Sequence, residues 1–223
     1  ALLAPAAILA GFRTGAGVWT AIPILVGLLW PSHVWGYDAP ILALVLSAVG
    51  AALVWGLPRA GPVVLAALAA LFFMCAPVVV WFARREGLFA RIQERVSLSW
   101  SERMDYWAHA QDWIWAHPLR GWGLDASRMF GPGIKLHPHD AALQIWLELG
   151  LIGAVAATVF WTALLSGLQR PRRSASAAAG AGCALAYLTF NAVSFGVWQE
   201  WWLALGALAC AACAALNPRS AAP

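Results

Sequence analysis

The chain reads as an all-α, polytopic transmembrane helical bundle with one long periplasmic loop that contains an interfacial helix. Three observations predict this. Of its 223 residues, 62% are hydrophobic and 11% charged, with a mean hydropathy of +0.71, too apolar and too charge-poor for an ordinary soluble domain. Apolar runs long enough to cross about 30 Å of hydrocarbon recur, each needing about 20 residues of helix. These runs lack the alternation of barrel strands, and in lipid only helices or closed barrels satisfy their backbone groups.

The opening stretch, Leu2 to Ala10, is apolar but too short to span, and it is expected to be a helix cut by the start of the chain. No basic region or cleavage site marks a signal peptide. Spans are predicted at about Ala16 to Trp30, Pro40 to Leu57, Pro62 to Phe82, Ala141 to Leu165, Ala175 to Val197 and Trp201 to Leu216. The basic run Arg170-Pro171-Arg172-Arg173 lies between the fourth and fifth, and the positive-inside rule puts it in the cytoplasm together with Arg59 and Arg219. Residues 1–82 are then transmembrane, 83–140 a periplasmic loop, 141–216 transmembrane and 217–223 a cytoplasmic tail.

Other classes find little support. The net charge of +4 comes from residues clustered at helix ends, without the aromatic-interleaved stripe of a nucleic-acid binder. Cys75, Cys183, Cys210 and Cys213 all lie in apolar runs, where a thiol behaves as a small hydrophobe. Cys210-x-x-Cys213 has no βαβ context or nearby histidine to make it a redox or metal motif.

A loop as long as 83–140 in a compact membrane protein is usually functional. Ser99-Trp100-Ser101-Glu102 has the pattern of a capping box, predicting a helix that runs to about His117, where Pro118 stops it. Trp100, Met104, Trp107, Ile114 and Trp115 give that helix an apolar stripe, with Arg103, Asp105, Gln111 and Asp112 more exposed, as on a helix resting at a membrane surface. Trp198, Trp201 and Trp202 fit an aromatic belt. A glycine-rich turn, Gly121-Trp122-Gly123, follows, then His137-Pro138-His139-Asp140 at the mouth of a span carrying Gln144 and Glu148 on one face.

The histidines either converge on one site or are interfacial polar residues beside Asp140 as helix cap. Glu148, about two turns into a span, needs a partner or a wet cavity unless it snorkels to the interface. A metal site would need a third ligand from His109, His117, Asp105 or Asp125, and no spacing enforces one. Arg103, Arg120, Arg128 and Lys135 could bind a phosphate-bearing headgroup or pair with Glu102, Asp105, Asp112 and Asp125.

The ordered pieces Ser101-Glu102-Arg103-Met104-Asp105-Tyr106-Trp107, His117-Pro118-Leu119-Arg120-Gly121-Trp122-Gly123, His137-Pro138-His139-Asp140 through Gln144, and Glu148-Leu149-Gly150-Leu151-Ile152-Gly153 resemble the O-antigen ligase and polymerase family. The resemblance implies a multi-pass enzyme of the bacterial inner membrane whose active site faces the periplasm. It would move glycan from an undecaprenyl diphosphate-linked donor to a lipid A-core or polysaccharide acceptor among membrane lipids, with no nucleic acid partner. It implies His139 as the essential histidine with His137 second, and Arg103 as the arginine that handles the diphosphate. Arg120, Arg128, Asp140, Gln144 and Glu148 are the expected substrate-binding or supporting residues. The family's other arginine matches Arg13 best, although the span count puts Arg13 on the cytoplasmic side. Asp140 stands where the family usually has asparagine. The expected chemistry is an inverting, metal-independent and cofactor-independent displacement at the anomeric carbon, with histidine as base. The alternatives are a polymerase of the same family and a transporter of lipid-linked sugars; the latter would show broken helices and repeated halves, of which the sequence gives no sign.

Overall fold

The computed structural model describes residues 1–129, 131 and 133–217, and among these every regular element is helical. Nine α-helices are described: α1 (Ala4–Arg13), α2 (Gly17–Trp35), α3 (Asp38–Gly56), α4 (Ala60–Arg85), α5 (Leu88–Gln93), α6 (Leu98–Ala116), α7 (Ala141–Ser166), α8 (Ala175–Val193) and α9 (Glu200–Ala215). Five of them, α2, α3, α4, α7 and α8, are long and apolar enough to cross a membrane. The sixth expected span, Trp201 to Leu216, coincides with a shorter apolar helix: α9 has 16 residues, about 24 Å at 1.5 Å per residue. α8 is shorter than expected, because residues 194–197 are not helical. The chain leaves α8 at Val193, and residues 194–199 serve the site described below.

The chain divides into two compact units. The first holds residues 1–66, 163–190 and the chain from Glu200 onward; the second holds 67–162 and 191–199.

Within the first unit, the Gln169 side-chain amide donates to the Arg59 carbonyl at 3.0 Å and the Arg170 amide to the Pro58 carbonyl at 3.0 Å. These bonds pin the α3–α4 turn to the α7–α8 connection, so Arg59 shares an end with the 170–173 cluster, as the positive-inside reading requires. Arg219 lies outside the described residues. At the C-terminal end of α1, Arg13 donates to the Leu216 carbonyl just past α9. A cation is favoured there because the last carbonyls of a helix lack intrahelical donors.

The second unit is organised around two imperfect helices. Pro77 lies inside α4, and a proline there deprives the carbonyl four residues earlier of its donor. That carbonyl belongs to Phe73, and the Trp146 indole N–H of α7 donates to it at 2.7 Å. Leaving a buried carbonyl unsatisfied costs about 1–3 kcal/mol, so Trp146 both repairs α4 and fixes α7 against it.

The other imperfect helix is α7, which breaks at Gly150 (φ 62°, ψ −155°). No broken helix was expected from the sequence, because Gly150 sits in a continuous apolar run and reads there as a close-packing position. The groups freed by the break are met by the segment after α6. Leu151 and Ile152 amides donate to the Pro118 and Leu119 carbonyls at 2.8 and 3.4 Å, while Trp122 and Gly123 amides donate to the Leu147 and Glu148 carbonyls at 2.9 and 2.8 Å. Such close approach requires glycine on both sides: a Cβ on Gly121 (φ +64°) would run into the Glu148 carbonyl, and one on Gly150 into the Leu119 backbone.

Candidate active site

Helix α6 carries the first half of the site, and its start corrects the expected capping box. Ser97, with extended backbone, is the N-cap and makes no side-chain cap bond. Ser99 and Glu102 lie within the helix, and the Glu102 carboxylate instead accepts from Lys135 Nζ at 3.1 Å. Two residues of the expected stripe also change places. Gln111 is buried because Arg84, at the end of α4, donates to its Oε1 at 2.9 Å while holding Asp112 at 2.6 Å and the Ala108 carbonyl at 3.0 Å. Trp115 is instead exposed. Met104, Tyr106, Ala110 and Ile114 are buried, so α6 packs on its neighbours and does not merely rest on a surface.

The second half is the turn before α7. Asp140 caps that helix as expected, its Oδ1 accepting from the Leu143 amide at 2.9 Å. The Trp107 indole N–H of α6 donates to the Pro138 carbonyl at 3.0 Å and fixes the turn. Leu136 and His139 have left-handed backbones, φ 70° and 55°, conformations costly for such residues and frequent where surroundings enforce a functional geometry.

The two imidazoles lie together, ring centroids 4.2 Å apart, and the Tyr106 ring stacks on His139 at 6.0 Å. Their hydrogen bonds assign opposite tautomers. His137 Nδ1 accepts from the His139 amide at 3.2 Å, so in neutral His137 the proton is on Nε2. His139 Nδ1 lies 2.6 Å from the Ser194 carbonyl, which can only accept, so Nδ1 carries the proton and Nε2 keeps a lone pair. Gly196, in the same segment, presses on His137 closely enough that a Cβ there would meet the ring at 2.8 Å.

Burial, then the neighbouring His139 and Arg128, pushes His137 down to about 4. His139 is also lowered, first by burial and then by the Arg103 charge, against the opposing effects of its Ser194 bond and of Glu102. Both rings are therefore neutral near pH 7, and Arg103 lies close enough for its charge to act on His139. The Arg103 guanidinium also sits over the Trp100 ring, 4.8 Å from its centroid. Arg128 is paired with Asp125 at 2.8 Å, the structural alternative anticipated for the loop cations. Arg120 is exposed and has no ion-pair partner among the described residues. Arg13 belongs to the first unit and is engaged with Leu216; the histidine centre is built from residues of the second unit.

Glu148 is fully buried, and protein donors consume its carboxylate. Oε1 accepts from Ser127 Oγ at 2.6 Å, the Ser127 amide at 3.4 Å and Gln144 Nε2 at 3.1 Å; Oε2 accepts from the Asp125 amide at 3.0 Å and the Trp198 indole. Gln144 in turn accepts from the Val197 amide at 3.0 Å. Of the sugar-binding and supporting roles expected for Glu148 and Gln144, this geometry favours support: together they tie α7 to residues 125–127 and 197–198. Trp198, Ser194, Ser127 and Tyr106 were absent from the sequence-based site. The aromatic belt accounted for Trp198, and no local pattern links it to a carboxylate in another helix.

An apolar crevice of about 230 Å³, lined by Leu71, Phe72, Val79, Val80 and Trp107, ends at Asp140. Burial raises the Asp140 carboxyl to about 7, against the Leu143 and Ala142 backbone bonds. Folding then favours its protonated form, so its contribution to stability is full below about pH 4 and is lost as pH rises to about 7. Asp140→Asn keeps the Oδ1 acceptor and removes the titration. Its Tm is expected to match the wild type near pH 4 and to exceed it increasingly up to pH 7.5, in a detergent melt series. An equal or lower Tm at pH 7.5 contradicts the assignment. His137, whose pKa moves the other way, contributes to both proteins alike and drops out of the comparison.

Fold and site together define a multi-pass membrane protein with a paired-histidine centre at the mouth of a broken helix. Residues 36–158, just over half of the chain and including every site residue from Arg103 to Glu148, match the family model described as O-Antigen ligase, and the chain belongs to that family. Curated relatives named "Putative polysaccharide ligase" include those of Rickettsia prowazekii (strain Madrid E) and Rickettsia felis, each 27% identical over 120 residues, covering 48% of this chain and 30% of the relative. Another, from Rickettsia bellii, is 35% identical over 71 residues, 32% of this chain and 17% of the relative. The chain thus spans about a third of the length of the relatives it matches. No solved structure matches it.

Proposed function

We propose that this chain carries the catalytic centre of a glycosyltransferase that moves glycan from undecaprenyl diphosphate to an acceptor hydroxyl at the periplasmic face of the bacterial inner membrane. The observation behind this is the His139 ring: Nδ1 is held by a carbonyl, which leaves Nε2 as a neutral base beside Arg103. In the reaction, Nε2 takes the acceptor hydroxyl proton as the oxygen attacks the anomeric carbon. The bond from that carbon to the phosphate oxygen breaks, and its electron pair leaves with the lipid diphosphate. Arg103 stabilises the charge arriving there, and His137, protonated on Nε2, supplies a neutral donor. Arg120 and Arg128 stand on the same loop as further phosphate-binding candidates. A single displacement inverts the anomeric configuration, and no metal is assigned a role.

The broken α7 favours a second reading, a transporter of lipid-linked sugars. It is the weaker one, because loop backbone already occupies the broken helix ends. Complementation with the full-length protein separates the readings. Attached glycan in a ligase-null strain marks the ligase, and longer chains in a polymerase-null strain the polymerase of the same family. Rescue of neither, with lipid-linked glycan newly appearing on the outer face, overturns the transferase.

A further inference from the structure

Lys135 and Glu102 form an ion pair that the scheme above leaves unused. Glu102 lies on α6 next to Arg103, and Lys135 lies in the turn before α7; their contact at 3.1 Å joins the two elements that carry the centre. Tyr106, whose ring stacks on His139, also acts electrostatically on the Lys135 ammonium. The charges of Glu102 and Arg103 both act on His139. The pair is solvent-accessible, with side-chain exposures of 68% for Lys135 and 42% for Glu102, and such a pair holds its partners weakly. A lysine ammonium on a flexible stem is suited to changing partners. By contrast, Arg128 pairs with Asp125, only three residues away on the same turn.

Resting on the glycan-transfer reading, we propose that Lys135 is a further donor-binding residue and Glu102 its counter-ion in the empty site: the ammonium leaves the carboxylate for the incoming diphosphate. A diphosphate offers more charge and more acceptor oxygens than one carboxylate, so the exchange runs toward bound donor. Glu102 then sets affinity by competing for the cation, and its negative charge rejects donors whose anion is too weak to displace it.

The test is binding of undecaprenyl diphosphate, with undecaprenyl monophosphate as comparison, to the full-length protein in nanodiscs. Lys135→Ala is expected to weaken diphosphate binding about tenfold, and Glu102→Gln to tighten it about threefold. In the double variant the gain from glutamine disappears, because no cation remains to be released. Lys135→Gln and Glu102→Ala form a second pair should either first variant lose its thermal transition. Weaker or unchanged binding by Glu102→Gln overturns the proposal, and so does a gain that persists without Lys135. If the wild type transfers glycan through His139 while these variants all bind alike, the exchange alone fails. If the wild type neither binds the lipid diphosphate nor transfers glycan, the underlying reading fails.

Discussion

His139→Ala in the full-length protein is expected to reduce glycan transfer from lipid diphosphate by about 10²- to 10⁴-fold, the usual contribution of a positioned base. The loss should fall on kcat, because the ring acts on the acceptor proton and Arg103 remains to hold the donor. The pH profile is the sharper measurement. Burial and Arg103 lower the His139 pKa from its ordinary 6.5, and the base works only when neutral. Wild-type activity should therefore show an acid limb whose midpoint lies below 6.5, and the residual activity of the variant should lack that limb. A variant that keeps most of its kcat, or keeps the acid limb unchanged, removes His139 from the chemistry. His139→Gln is the companion: it can still meet the Ser194 carbonyl but supplies no base, so recovered folding without recovered rate separates the two roles.

The second large effect is expected at Glu148. Truncation to alanine strands the Asp125 and Ser127 amides, the Gln144 amide and the Trp198 indole inside the protein and leaves the Ser127 hydroxyl only the Leu136 carbonyl. Each buried donor left without an acceptor costs about 1–3 kcal/mol, and partial rearrangement leaves a net loss of several kcal/mol. Glu148→Ala should thus lower the Tm in detergent by 10 °C or more, about the scale of several kcal/mol in a chain of this size. Glu148→Gln, which keeps one acceptor oxygen, should fall between. Trp198→Phe removes one of the five donors and should lower the Tm by a fraction of that. An unaltered Tm in Glu148→Ala would show that the carboxylate holds nothing together, and would restore its candidacy as a sugar ligand.

What was legible in the sequence follows the range of the forces involved. The five long spans are visible because hydropathy sums over neighbours in the chain, and the Asp140 cap because its partner, Leu143, is three residues away. The His-Pro-His turn is legible for the same reason. Partners distant in sequence were not. Glu148 meets Trp198 50 residues away, and nothing near either residue announces the other. The Ser99 and Glu102 pattern satisfied the spacing of a capping box, but the helix starts at Leu98, so Ser99 lies inside it and Glu102 is free to meet Lys135. Gly150 is the clearest failure. A glycine in an apolar run is compatible with tight packing or with a break, and only the arrival of residues 118–123 decides between them.

That break makes the polar segment and the span that follows it a single folding module. Chimeras that exchange residues 98–140 between relatives, leaving the recipient's helix in place, would strand four peptide groups in a poorly hydrated setting. Evolutionary or engineered swaps of acceptor preference should therefore travel as one cassette reaching past Ile152, and a cut at the apparent boundary before Ala141 should yield protein that the membrane quality-control machinery degrades.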